Sequence, residues 1–356
     1  MFKTFLKEYP FHISVVALII VSFFEHILAS SSLGNIAGFL ILFGVIIYSA
    51  LNVAFHAEML AEKFGEPYGT LILTISAVLV EIVIIAIMMI HENNPTLARD
   101  TVYSAVMLDI NGLLGFAAIV GGLKYGEQPY NVDSSNSYLS MIMVAFGISM
   151  IIPDFLPQES VHKFMIFNVV IFILLYIIFT KIQLLDHKYF FEYKYEKGEE
   201  NHHHKEEINA IYHSILLILS IVMIGLLSEI LSIFMSNTLN TFHLPLALGA
   251  VSVAVISASP ELITAIRAAS ENRMQTVVNI AMGASLATVL LTVPAVIVVA
   301  EILGLKLELG LTPIQSVMII LTLLVSMINF NDGETNVLEG FIHFILFVVF
   351  IYLTMI

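Results

Sequence analysis

Of 356 residues, 59% are hydrophobic and 12% charged, and the mean hydropathy is +0.96. Soluble chains carry about 25% charged residues, so composition excludes a soluble domain and predicts an all-α integral membrane protein, its apolar runs being too long for barrel strands. The formal charge of −14 describes a surface that gathers cations and implies no nucleic-acid partner, and the lack of cysteine removes disulfides, thiolate metal sites and cysteine nucleophiles.

The hydropathy pattern predicts about eleven membrane helices, at about 11–31, 34–60, 67–90, 101–123, 137–156, 161–184, 209–236, 243–269, 274–302, 312–329 and 338–355. The first follows Lys3 and Lys7 and contains Glu25 and His26; no small-residue cleavage pattern follows it, so it reads as a membrane helix. In the second, His56 and Glu58 are gate or structural candidates, as is Glu229 further on. The third is apolar apart from Thr70, Thr74, Ser76 and Glu81, and the spacing of Thr70, Thr74, Ala77 and Glu81 puts them on one helical face. A carboxylate at membrane depth costs roughly 2.5 to 3.5 kcal/mol on insertion scales, so it belongs beside a cavity, a partner or an ion.

The fourth helix is rich in small and polar residues, among them Ser104, Asp109, Asn111, Gly112 and Gly115. Asp109 and Asn111 are about 200° apart on a helical wheel, so only one of them fully faces a site. The fifth ends in the acidic bend holding Asp154 and Glu159. A polar connection then carries His202, His203 and His204, which read as a solvated loop because no ligand spacing on a rigid element supports a metal site. The chain thereby divides into a leading helix (1–32), a five-helix set (33–184), an acidic and His-rich linker (185–208) and a second five-helix set (209–356). Five is odd, so the second set enters the membrane from the opposite side, as in the inverted repeats of secondary transporters.

The second set repeats the pattern. Its second helix holds Glu261 directly after Pro260, and proline has no N–H to give the carbonyl of Ile256. That carbonyl and the Glu261 carboxylate are two hard oxygen ligands of the type sodium or calcium prefers. The next helix carries Asn279, Gly283, Ser285, Thr288 and Thr292, and the chain later bends at Asp332 and Glu334. Acidic residues at both mouths (Asp154 at one, Asp332 and Glu334 at the other) suit a cation path. With the N-terminus cytoplasmic, only Arg99, Lys163 and Lys306 of the 14 basic residues fall outside, which predicts a multi-pass plasma (inner) membrane protein with an external C-terminus.

The stretches GEPYGTLILTISAVLVEI, RDTVYSAVMLDINGLLG, GLKYGEQPYNV, SPELITAIRAASENRMQ and ETNVLEG resemble the bacterial calcium/proton antiporter branch of the cation exchanger family, within the calcium/cation antiporter superfamily. The resemblance implies one leading helix plus two inverted five-helix repeats, with an essential acidic residue per repeat at Glu81 and Glu261. The Asn-Gly pair of the motif favours Asn111 as the residue facing the ion, with Asp109 paired or at the cavity edge. Where many family members have Gly-Asn shortly before each acidic residue, this chain has Ser76 to Val80 and Ser257 to Pro260.

The expected activity is electrochemically driven exchange of cytosolic Ca²⁺ for protons, with Na⁺(K⁺)/H⁺ exchange on the same scaffold as the alternative and a cation channel less favoured. Glu81 and Glu261 are the expected proton-coupling groups, and the expected cation ligands add Ile256, Asn111, Asn279, Ser285 and Thr288. No cofactor beyond the transported ions is expected; the partners are the cation, protons and the lipid bilayer, and a homo-oligomer stays open. No HExxH, cysteine or convincing protease motif supports an intramembrane hydrolase.

Overall fold

Apolar runs fold among the described residues into eleven helices. The computed structural model describes residues 5–65, 68–92, 94–186, 189, 191 and 208–356; most of the linker, with His202, His203 and His204, lies outside the described residues. The helices are α1 (Tyr9–Ala29), α2 (Ser32–Phe64), α3 (Tyr68–Glu92), α4 (Leu97–Tyr125), α5 (Val132–Phe155), α6 (Gln158–Asp186), α7 (Ala210–Thr241), α8 (Ala247–Ser270), α9 (Met274–Leu303), α10 (Pro313–Asn329) and α11 (Val337–Thr354). Among the described residues ten are long and apolar enough to span a membrane, and α10, with 17 residues, is a shorter apolar helix.

Side-chain oxygens start several of them. Ser31 accepts from the Gly34 N–H, Asn209 from Tyr212, and Thr312 and Gln315 form a reciprocal capping box at α10. Beyond its sequence-based boundary α2 runs on through Glu62 and Lys63. Charged residues do not end a helix; Gly65 does, at φ 65°, with its N–H on the Ala61 carbonyl.

Contacts in the first set, α2–α6, recur in the second, α7–α11. The helices α2 and α7 pack on each other; α3 lies against α7 as α8 lies against α2; α8 packs on α4 as α3 packs on α9; α11 packs on α4 as α6 packs on α9. The loops keep the same exchange. At one end strands β1 (Gln128–Pro129) and β2 (Glu334–Thr335) pair antiparallel and the Tyr130 N–H donates to the Gly333 carbonyl at 2.8 Å; at the other the Leu311 N–H donates to Met150, also at 2.8 Å. This is a leading helix followed by two interlocked, inverted five-helix sets.

Two places decide what lies at the centre. The helix α4 contains a π turn at Leu108–Leu113 and α9 one at Thr288–Thr292. Their first residues are 180 positions apart, 108 and 288, the same spacing as Glu81 and Glu261. In α9, Pro294 lacks the N–H that the Leu290 carbonyl would take in a regular helix, which accounts for widening there. A π turn shifts the phase of the helix by inserting a residue, and such turns recur at functional sites.

Candidate cation site

Segments of seven helices, α4 and α5 contributing Ala105, Asp109 and Tyr138, enclose a cavity of about 570 Å³. It is lined by the last turns of α2 (Ala54, Ala57, Glu58), the first half of α3 (Thr70 to Glu81), the second half of α8 (Ser257 to Thr264), the first half of α9 (Thr276 to Thr288) and the end of α6 (Tyr176, Phe179, Gln183). All these segments lie toward the end of the bundle that carries the α2–α3 and α8–α9 turns. Toward the other end the same helices close on a dry cluster that includes Leu42, Ile46, Ile84, Met88, Leu231, Phe234, Val253 and Val296. The cavity therefore lies toward one end of the bundle, and packed apolar side chains fill the other.

Glu81 stands at the floor of this cavity, about 20 Å of helix rise from the start of α3, and is 4% exposed. Its Oε2 accepts from Thr292 Oγ1 at 2.6 Å and from Thr288 Oγ1 at 3.1 Å. Both hydroxyls come from the π turn of α9, so one repeat supplies the acid and the other the donors that hold it. The second oxygen, Oε1, is buried and has no hydrogen-bond partner among the described residues. Glu261 enters from α8, and its Oε2 is likewise buried and without a partner. A buried carboxylate oxygen with no donor costs free energy unless a proton or a cation takes it up.

Asp109 is the third acid. It is 3% exposed, lines the cavity, accepts from Ser285 Oγ at 3.2 Å, and stands within electrostatic reach of both Glu261 and Glu81. This reverses the expectation that Asn111 faces the ion and Asp109 the margin. Asn111, fully buried, points away: its amide donates to Thr322 Oγ1 at 2.8 Å and accepts from His343 Nδ1 at 3.0 Å. Residues two apart face opposite sides of the helix, and the three-helix packing of α4, α10 and α11 claims the amide while the cavity receives the acid.

The other expected ligands divide. Thr288 reaches the site through Glu81, and Asn279 lines the cavity while accepting from Gln275 and donating to the Phe191 carbonyl at 2.9 Å. Ser285 is fully buried behind Asp109. Ile256 is not at the site: α8 passes Pro260 without a break, Pro260 itself lines the cavity, and Ile256 is fully buried in the apolar cluster beyond it. Asp154, Asp332 and Glu334 are exposed on the bends and are not among the residues lining the cavity. Asp154 packs over Gly310, and the Asp332 carboxylate accepts from the Glu334 N–H at 3.2 Å. Thr292 was missed as a site residue, although its four-residue spacing from Thr288 signals a shared face.

Among the described residues no three His, Cys, Asp or Glu side chains converge closely enough to clasp an ion at once. The three acids instead line one cavity.

Two interlocked inverted repeats with one buried glutamate each, at the floor of a one-sided cavity, define a membrane cation exchanger that works by alternating access. The family model described as sodium/calcium exchanger protein matches residues 34–185 and 212–356, and the chain belongs to that family. It is 33% identical over 312 residues to the sodium-potassium/proton antiporter ChaA of Escherichia coli, covering 86% of this chain and 85% of that one. It is 22% identical to a Ca²⁺/H⁺ antiporter of Aphanothece halophytica over 72% of this chain and 74% of the relative. Its fold is similar to the crystal structure of the Ca²⁺/H⁺ antiporter YfkE, with a TM-score of 0.77, 22% identity, and 97% and 98% of the two chains covered.

Proposed function

We propose that the protein exchanges cytosolic Ca²⁺ for protons at a site built on Glu81 and Glu261. The observation that carries this reading is the pair of buried, partnerless carboxylate oxygens on repeat-related helices facing one cavity. A proton and a cation compete for the same oxygens, and that competition couples the two flows. One divalent ion or two protons neutralise the glutamates equally, so either loaded form can change sides, whereas the empty dianion is costly away from water. Hard carboxylate and amide oxygens from Glu81, Glu261, Asp109 and Asn279 suit calcium, which takes six to eight oxygen ligands.

By the distribution of basic residues the open end of the cavity is cytoplasmic, so this conformation loads from the cytosol in the membrane of the cell. The helices α2 and α7, packed on each other beside the site, are the elements whose sliding would close this mouth and open the other. Tightening around the ion would then draw the three acids together.

A second reading, Na⁺ or K⁺ exchange for protons, is favoured by the 33% identity to the Escherichia coli sodium-potassium/proton antiporter. Oxygen ligands alone do not choose between them. Everted membrane vesicles with an imposed pH gradient, supplied with Ca²⁺, Na⁺ and K⁺ in turn, separate the two: Ca²⁺-dependent collapse of the gradient at the lowest concentration supports the first, and a response to Na⁺ or K⁺ without one to Ca²⁺ replaces it by the second.

A further inference from the structure

The π turn of α4 is held from behind. Asn111, in the middle of it, is fully buried, and its side chain ties three helices: Nδ2 donates to Thr322 of α10, and Oδ1 accepts from His343 of α11. An amide oxygen only accepts, so His343 carries its proton on Nδ1. The ring stacks on Phe330 at 6.1 Å between centroids, is 2% exposed, and its Nε2 has no partner among the described residues. A buried imidazole that leaves one nitrogen unpaired is a costly way to fill apolar space, which a leucine would fill without a polar atom. Its hydrogen bond to Asn111 is what distinguishes it from one.

The two π turns are supported in opposite ways. In α9 the hydroxyls of Thr288 and Thr292 point into the site and bond Glu81 directly. In α4 the polar group of Asn111 points out, and the acid two residues earlier, Asp109, points in. A π turn that relaxes to a regular helix drops one residue from its phase, which rotates the flanking segment by about 100°. We infer that His343 and Thr322 form a clamp that holds Asn111, and so fixes the π turn of α4 in the register that turns Asp109 toward the cation. His343 and Thr322 are positioning residues under this inference; neither lines the cavity.

The inference rests on the exchange reading above and is tested with the purified full chain, using Ca²⁺ as the probe in calorimetric titration and in pH-gradient-driven uptake. His343→Leu should raise the apparent Ca²⁺ constant at least fivefold, and His343→Gln, whose amide N–H₂ can donate to Asn111 Oδ1, should bring it back to within twofold. In an Asp109→Asn background, His343→Leu should add little further loss, because the clamp acts through the acid. If His343→Leu does not fold, Thr322→Val removes the other half of the clamp and should raise the same constant. Unchanged Ca²⁺ affinity in a folded His343→Leu or Thr322→Val protein, no recovery in a folded His343→Gln, or losses that add fully to that of Asp109→Asn would overturn the clamp. Absence of Ca²⁺ binding by the unaltered protein would instead overturn the calcium reading on which it rests.

Discussion

The hydroxyl of Thr292 offers the sharpest single-atom test of how the site holds a cation. Thr292 is fully buried and donates to Glu81 Oε2 at 2.6 Å, the shorter of the two bonds to that oxygen. Thr292→Val replaces the hydroxyl with a methyl, keeps the β-branched shape and places no polar atom in the core. The carboxylate binds the metal in its ionised form, and that form loses a donor. A hydrogen bond to a charged group is worth about 1.5–3 kcal/mol, and the bond from Thr288 at 3.1 Å remains, so the lower end applies. At about 1.4 kcal/mol per decade, the apparent Ca²⁺ constant should rise about tenfold at fixed pH. The assay is initial pH-gradient-driven uptake as a function of Ca²⁺, with thermal unfolding in parallel. Stability should change little, since the lost hydroxyl leaves no orphan of its own and Glu81 Oε2 keeps its bond from Thr288. A shift of less than about twofold in a folded protein would show that the threonines pack the helix without tuning Glu81.

Three further outcomes follow from the geometry. Pro260→Ala should raise thermal stability, because an interior proline costs a helix up to about 3 kcal/mol, and should leave the Ca²⁺ constant within about twofold since Ile256 stands away from the cavity; a large loss of affinity would return the Ile256 carbonyl to the ligand set. Gly340→Ala should lower stability by about 1–3 kcal/mol, since the added Cβ would sit 2.7 Å from the Ile119 nitrogen and 2.9 Å from the Gly115 carbonyl oxygen, backbone atoms of α4 that cannot turn aside; an unchanged melting temperature would mean that α4 and α11 part freely. Asp109→Asn should weaken Ca²⁺ more than Na⁺ in competition titrations, because removing one carboxylate lowers the attraction for a divalent ion twice as much as for a monovalent one; parallel losses would place Asp109 outside the coordination sphere.

Length and polarity made the helices legible in the chain, because lipid forces every backbone group into internal hydrogen bonds and an apolar run can resolve only as a helix or a closed barrel. The two glutamates were legible for a related reason: at membrane depth a charge without a function is rare. What the sequence hid was rotation. A 3.6-residue wheel places Asp109 and Asn111 on opposite faces but does not say which face is inward, and the π turns at Leu108–Leu113 and Thr288–Thr292 shift that phase, with Pro294 as a mark of the second and none for the first. His343, set among apolar residues of α11, gave no signal until its partner on α4 was placed beside it. Ile256 misled because a proline frees a carbonyl without telling which way the oxygen faces. The acidic bends at Asp154 and Asp332 lie exposed and outside the cavity lining, and exposed carboxylates at helix ends are ordinary wherever a bend meets water.

The central claim is that two repeat-related glutamates bind the cation and the proton in turn. It is tested most directly by reconstituting the full chain in proteoliposomes, imposing a pH gradient, and measuring Ca²⁺ accumulation for the unaltered protein beside Glu81→Gln and Glu261→Gln. The amides keep shape and lose the titratable charge, so the unaltered protein should accumulate Ca²⁺ only while the gradient lasts, and each variant should insert normally and accumulate none. Near-normal gradient-driven uptake by either variant would contradict the account.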